Sequence, residues 1–217
     1  MDLVLLVIIA ATAVASFMGF QNGSLFERYK FNVNAILHKK EYVRLISSGF
    51  LHADWMHLIF NMLTLFYFGP IVVRAFGAVG FFLVYFGSIV AGNLFSLYLY
   101  KHQGWYSAIG ASGGVSGVLF AAIAVFPHLE LFLFFIPIPI KGYIFGALYF
   151  GYSVYMMLNP KPYDHIGHAA HLGGALFGLL YAVGLLPLVV YGNAAYLLIM
   201  ALPLFYLGYE IFVRKRL

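Results

Sequence analysis

Three short stretches carry the side chains whose types and spacing could do chemistry. GASGGVSG (110–117) holds Ser112 and Ser116, and HADWMHLIFN (52–61) holds His52, Asp54, His57 and Asn61. DHIGHAAHLGG (164–174) holds Asp164, His165, His168 and His171. A hydroxyl beside an imidazole is a nucleophile with its general base. His57 and Asn61, four residues apart, share one helical face about 6 Å apart along the axis. Both can donate hydrogen bonds into the same space, which is what a developing oxyanion needs. Each stretch opens an apolar run, and ionisable residues inside a membrane span are costly and by default functional.

The elements that must position these groups follow from composition. The chain has 217 residues, 64% hydrophobic and only 9% charged, against roughly 25% charged in soluble domains. The bilayer is therefore its solvent, which leaves helices or a closed barrel. Long unalternated apolar runs select helices. Spans of about 20 residues are expected near 3–19, 55–76, 79–100, 112–127, 140–158, 168–187 and 194–213. Residues 20–54, with Glu27, Arg28, Lys30, Lys39, Lys40, Glu41 and Arg44 among aromatics, suit a segment lying in the headgroup region. The N-terminal run has Asp2 as its only charge. It lacks the positive start of a secretory signal and reads as a retained first span. There is no cysteine, so disulfides and thiolate catalysis are excluded. The net charge of +5 forms no basic cluster suited to nucleic acid.

The three polar stretches begin spans two, four and six. Even-numbered spans start on one side of the membrane, so the groups share a face and a depth. Three helix N-termini, with unsatisfied N–H groups, then point toward one site. The fourth span is short, so a loop must dip below the surface to meet Ser112. Irregular backbone at that depth survives only when buried in protein or lining a watery cavity. Gly167, His171, Gly174 and Gly178 form one stripe on span six, and Gly113 and Gly117 a small patch on span four. Small-residue faces let membrane helices approach closely. That approach would bring His171 within reach of Ser112.

The motifs HADWMHLIFNM, GASGGVSG and GHAAHLGGALFG, in that order on alternate spans, resemble the rhomboid intramembrane serine proteases over roughly residues 40–185. The resemblance implies an all-α polytopic fold: a six-helix bundle over about 1–190 with an additional C-terminal transmembrane helix near 194–213, in a single membrane domain. It implies a catalytic dyad of Ser112 and His171 without an acidic third member, and an oxyanion hole of His57, Asn61 and the Ser112 N–H. His52 matches the earlier histidine of that helix region. Arg44 matches the arginine of a first-loop Trp-Arg pair, with Val43 in the tryptophan's place. GVSG repeats the serine motif, making Ser116 a second alignment. Under the first alignment Ser116 stands where many members carry a tyrosine stacked on the catalytic histidine, so that support is expected to be missing. His168 is a candidate partner of His171.

The implied function is a serine endopeptidase cutting transmembrane segments of protein substrates, with no cofactor, no metal and no nucleic acid, in a bacterial inner membrane. Lysine and arginine concentrate on the site's side, which the positive-inside bias makes cytoplasmic; the resemblance implies a site facing outward. Rival readings are a metal-dependent membrane hydrolase of the lipid-amidase type, using His52, His57, His168, His171, Asp54 and Asp164, an inactive rhomboid-like protein that binds clients, and a small transporter. HExxH is absent, the G-x-S-x-G elbow lacks its strand, and no inverted repeat is visible. His102, His128 and His165 read as interfacial.

Overall fold

The structure is a computed structural model that describes residues 2–133, 136–161, 164 and 166–215. Helix α1 (Leu3–Gln21) starts at Asp2, whose carboxylate accepts the Val4 N–H. Short helices α2 (Gly23–Tyr29), α3 (Val33–Leu37) and α4 (Arg44–Ser47) and a 3-10 turn (Ser48–Phe50) follow, with strand β1 (Phe31–Asn32) between α2 and α3. Then come α5 (Trp55–Tyr100), β2 (Ser107–Ala108), α6 (Ser112–Val125), β3 (Glu130–Leu133), β4 (Ile136–Lys141), α7 (Gly142–Leu158), α8 (His168–Leu185), α9 (Pro187–Gly192) and α10 (Ala194–Phe212).

Helix α5 is two passes. Gly77, at φ 75° and ψ 173°, breaks it into 55–76 and 78–100, a conformation that glycine adopts without a Cβ penalty. Pro70 sits within the first pass without ending it. With that break, each of the seven expected spans has a helix. Those of α1, α5, α8 and α10 are long and apolar enough to cross a bilayer. The molecule is thus an all-α, multi-pass membrane protein.

Helix α6 is the axis of the bundle. Every residue from Gly113 to Val125 is buried, packed by α5 on one side and α8 on the other. Being enclosed all round, it has no polar face, as a fully buried helix should not. Its 14 residues span about 21 Å, short of a hydrocarbon core of about 30 Å. One end must therefore lie below the surface.

Glycines set the spacing. A Cβ on Gly174 would strike the backbone of Gly113, and one on Gly178 the backbone of Gly117. Gly92 on α5 likewise abuts the Ala170 carbonyl of α8. The stripes legible in the sequence meet each other, α8 against α6.

Three local features differ from expectation. The fourth span stops at Val125 rather than Pro127, because the residue before a proline disfavours helix. Strands β3 and β4 pair antiparallel, Glu130 opposite Lys141 and Leu131 opposite Ile140, joined by the Lys141–Glu130 ion pair at 2.6 Å. The fifth span therefore begins at Gly142, not Ile140. Segment 20–54 is folded rather than simply adsorbed. The buried Arg44 donates to the Glu27 and Lys30 carbonyls and pairs with Glu41 at 2.6 Å. Strand β1 pairs with β2, placing Phe31 opposite Ala108 just before the serine loop.

Candidate active site

Ser112 is the first residue of α6. Its N-cap, Ala111, has no side chain to satisfy the first-turn N–H groups, which leaves them available to an anion. His171, one turn into α8, reaches across, and its Nε2 lies 2.6 Å from Ser112 Oγ. That distance is a short hydrogen bond between a hydroxyl and an imidazole. With the His171 proton on Nδ1, Nε2 accepts the serine proton. The contact exists because Gly174, three residues on, seats directly on Gly113.

Gly110 precedes this pair at φ 118°, in the region that favours glycine. A Cβ there would lie 2.8 Å from His57 Nε2 and 3.6 Å from Ser112 Oγ. His57 and Ser112 thus border one small space. Asp54 caps α5 by accepting the His57 N–H at 2.8 Å. Asn61, buried one turn further, donates one amide hydrogen to the His57 carbonyl at 2.8 Å, leaving its second N–H for a ligand.

His52 lies outside the helices and is fully buried. Its Nδ1 is 2.8 Å from Ser16 Oγ on α1, and that hydroxyl also donates to the Phe50 carbonyl at 2.8 Å. Its Nε2 accepts the Ala111 N–H at 3.3 Å. A neutral ring satisfies all three bonds. Burial, with the His57 imidazole beside it, pushes His52 down to about 3 against a smaller opposing pull from Asp54. His52 therefore ties α1 to the residue before Ser112. Sequence reading had no reason to select Ser16, one small polar residue in an apolar helix.

Ser116 is buried one turn below Ser112. It bonds the Tyr149 hydroxyl of α7 at 2.7 Å and not an imidazole. Tyr149 is a second residue that sequence reading missed: its ring stacks on His171, centroids 6.2 Å apart and planes 23° apart. The expected loss of aromatic support is thus corrected, since a ring arrives from another helix. His168 Nε2 pairs with Asp164 at 2.9 Å, and its ring stands edge-on to His171 at 6.4 Å. Among the described residues, no three His, Asp or Glu side chains are grouped to hold a metal ion. His128 packs between Tyr143 and Tyr196, and His102 is exposed. His165 lies outside the described residues.

A multi-pass helical membrane protein with a hydroxyl–imidazole pair at a sunken helix N-terminus is the class that this fold and site define. Residues 39–188 match the rhomboid domain model. The chain belongs to the rhomboid family. It is 35% identical over 165 residues to Rhomboid protein 1, mitochondrial, of Saccharomyces cerevisiae, covering 70% of this chain and 46% of that protein. It is 34% identical over 140 residues to the human Presenilin-associated rhomboid-like protein, mitochondrial, covering 63% and 36%. It is 30% identical over 153 residues to Rhomboid protease GluP of Bacillus subtilis, covering 70% and 28%. The chain thus spans less than half the length of each of these relatives. With mitochondrial proteins among them, the bacterial inner membrane expected from sequence finds no support. Location stands at an integral, multi-pass membrane protein with an intramembrane-protease-like fold.

Proposed function

We propose that this chain is an intramembrane serine endopeptidase, with Ser112 as nucleophile and His171 as general base. The observation that carries the proposal is the 2.6 Å contact between His171 Nε2 and Ser112 Oγ at an uncapped helix start. His171 takes the Ser112 proton as Oγ attacks a peptide carbonyl. The oxyanion is held by the Ser112 N–H, His57 and the free Asn61 N–H. His171 then protonates the leaving amine, and water hydrolyses the acyl-enzyme by the same proton route. The substrate is a transmembrane segment entering from the lipid. A spanning helix must unwind before it is cut, so segments with glycine or proline near the cut are favoured. Helices α1 to α8 form the catalytic core, with α10 an added seventh span.

Proteoliposome cleavage of a transmembrane substrate tests this. Ser112→Ala should abolish turnover, and Asn61→Ala should slow it about a hundredfold by removing one oxyanion donor. Cleavage by Ser112→Ala together with loss in Ser116→Ala would move the nucleophile by four residues. Chelators should leave activity unchanged; inhibition by them would favour the metal-dependent hydrolase.

A further inference from the structure

Ser112 and Ser116 lie four residues apart on α6, one turn apart on the same face. Ser112 bonds His171 of α8, and Ser116 bonds Tyr149 of α7. Tyr149 in turn stacks on His171. The four side chains close a ring through three helices. The nearby carboxylate, Asp164, bonds His168 and accepts the Ile166 N–H.

An imidazole that must accept a proton at Nε2 and return it to a leaving group works only in one orientation. A hydrogen bond from Nε2 alone leaves the ring free to rotate about that axis. A stacked aromatic face removes the rotation. Tyr149 is suited to this because its own ring is wedged by Phe120 at 5.3 Å, Phe145 at 5.8 Å and Phe150 at 6.1 Å. Its hydroxyl is anchored on the buried Ser116.

We propose that Tyr149, anchored by Ser116, is a positioning residue that holds the His171 ring in line with Ser112. The proposal rests on the protease reading above. It explains why a serine is sufficient at position 116: its work there is to hold a ring supplied by α7. It also makes α7 part of the machinery. Movement of α7 away from α8 would remove the ring that fixes the His171 plane.

The experiment uses full-length protein in proteoliposomes, with two readouts. One is kcat and KM on a transmembrane substrate; the other is the rate constant for fluorophosphonate labelling of Ser112 in the folded fraction. Tyr149→Leu should lower kcat and the labelling rate about tenfold with KM altered less than about twofold, the loss of one aromatic stack. Tyr149→Phe keeps the ring and loses the anchor, as does Ser116→Ala; each should cost about threefold. The double variant should be no slower than either single one, because both remove the same bond. A labelling rate per folded molecule unchanged in Tyr149→Leu, with only the yield or Tm reduced, would overturn the proposal. So would single effects that multiply in the double variant. Ser112→Ala is the control that separates the two levels: full cleavage by it sinks the protease reading itself, whereas its inactivity alongside a fully active Tyr149→Leu sinks only the positioning role.

Discussion

His52 braces the loop in front of Ser112 from behind the candidate site. It is buried, neutral, and bonded to Ser16 and to the Ala111 N–H. Its protonation would leave two positive N–H groups, one of them aimed at the Ala111 donor. The unfolded imidazole titrates near 6.5 and the folded one near 3. Between those values the unfolded chain binds the extra proton, so stability is complete above pH 6.5 and is lost as pH falls toward 3. Between pH 7 and pH 5 this single group should cost about 2 kcal/mol. Thermal unfolding in detergent, compared between the native chain and His52→Gln, checks it: the native chain should lose the larger increment on acidification. Equal pH slopes would contradict the assignment. Of the candidate site's residues, Ser112, His171, His57 and Asn61 are legible because their motifs sit at matching ends of alternate spans. Ser16 and Tyr149 are not. One is a small residue in an apolar helix, the other a tyrosine in a helix rich in them, and neither has a spacing that marks it.

Among the elements, the α6–α8 contact decides whether the site exists. Its signal is unusually direct. Glycines at steps of four on one helix and of four on the other read as complementary faces, and Gly174 does seat on Gly113 and Gly178 on Gly117. The backbone of α6 leaves no room for a methyl group there. Gly174→Ala must therefore push α8 away, which should destabilise the fold by about 2 kcal/mol as an overpacked core does and lower activity per folded molecule more than Gly184→Ala. Gly184 meets nothing within 4 Å. Denaturant titration with activity assays of the two variants measures both effects, and equal losses would show that the close approach is not what sets the site. The pairing of β3 with β4 was less legible. Two prolines interrupt the alternation in IPIPIK, and strand pairing there depends on a partner that local sequence does not reveal. The break at Gly77 was legible as a turn between spans, and the left-handed glycine there separates the two passes.

For the whole molecule, low charge and long apolar runs dictate a bilayer solvent, and the bilayer dictates the rest. A short buried helix forces a loop below the surface, and only protein around that loop can satisfy its backbone. The packing of α5, α8 and segment 20–54 around α6 supplies it: Gly110 donates to the Ser48 carbonyl at 3.0 Å, Asn93 to Leu45 and Ser48, and Ala111 to His52. What composition and spacing could not carry was how the interfacial segment folds, because its contacts pair residues some seventy positions apart, as Asn32 does with Ser107. The account as a whole stands on an activated hydroxyl in a membrane-buried pocket. Fluorophosphonate labelling of the protein in native membranes, with the modified residue mapped by mass spectrometry, reads this directly. The account predicts a single adduct on Ser112 that disappears in His171→Ala. An adduct on Ser116, or one on Ser112 that forms equally fast without His171, would contradict it.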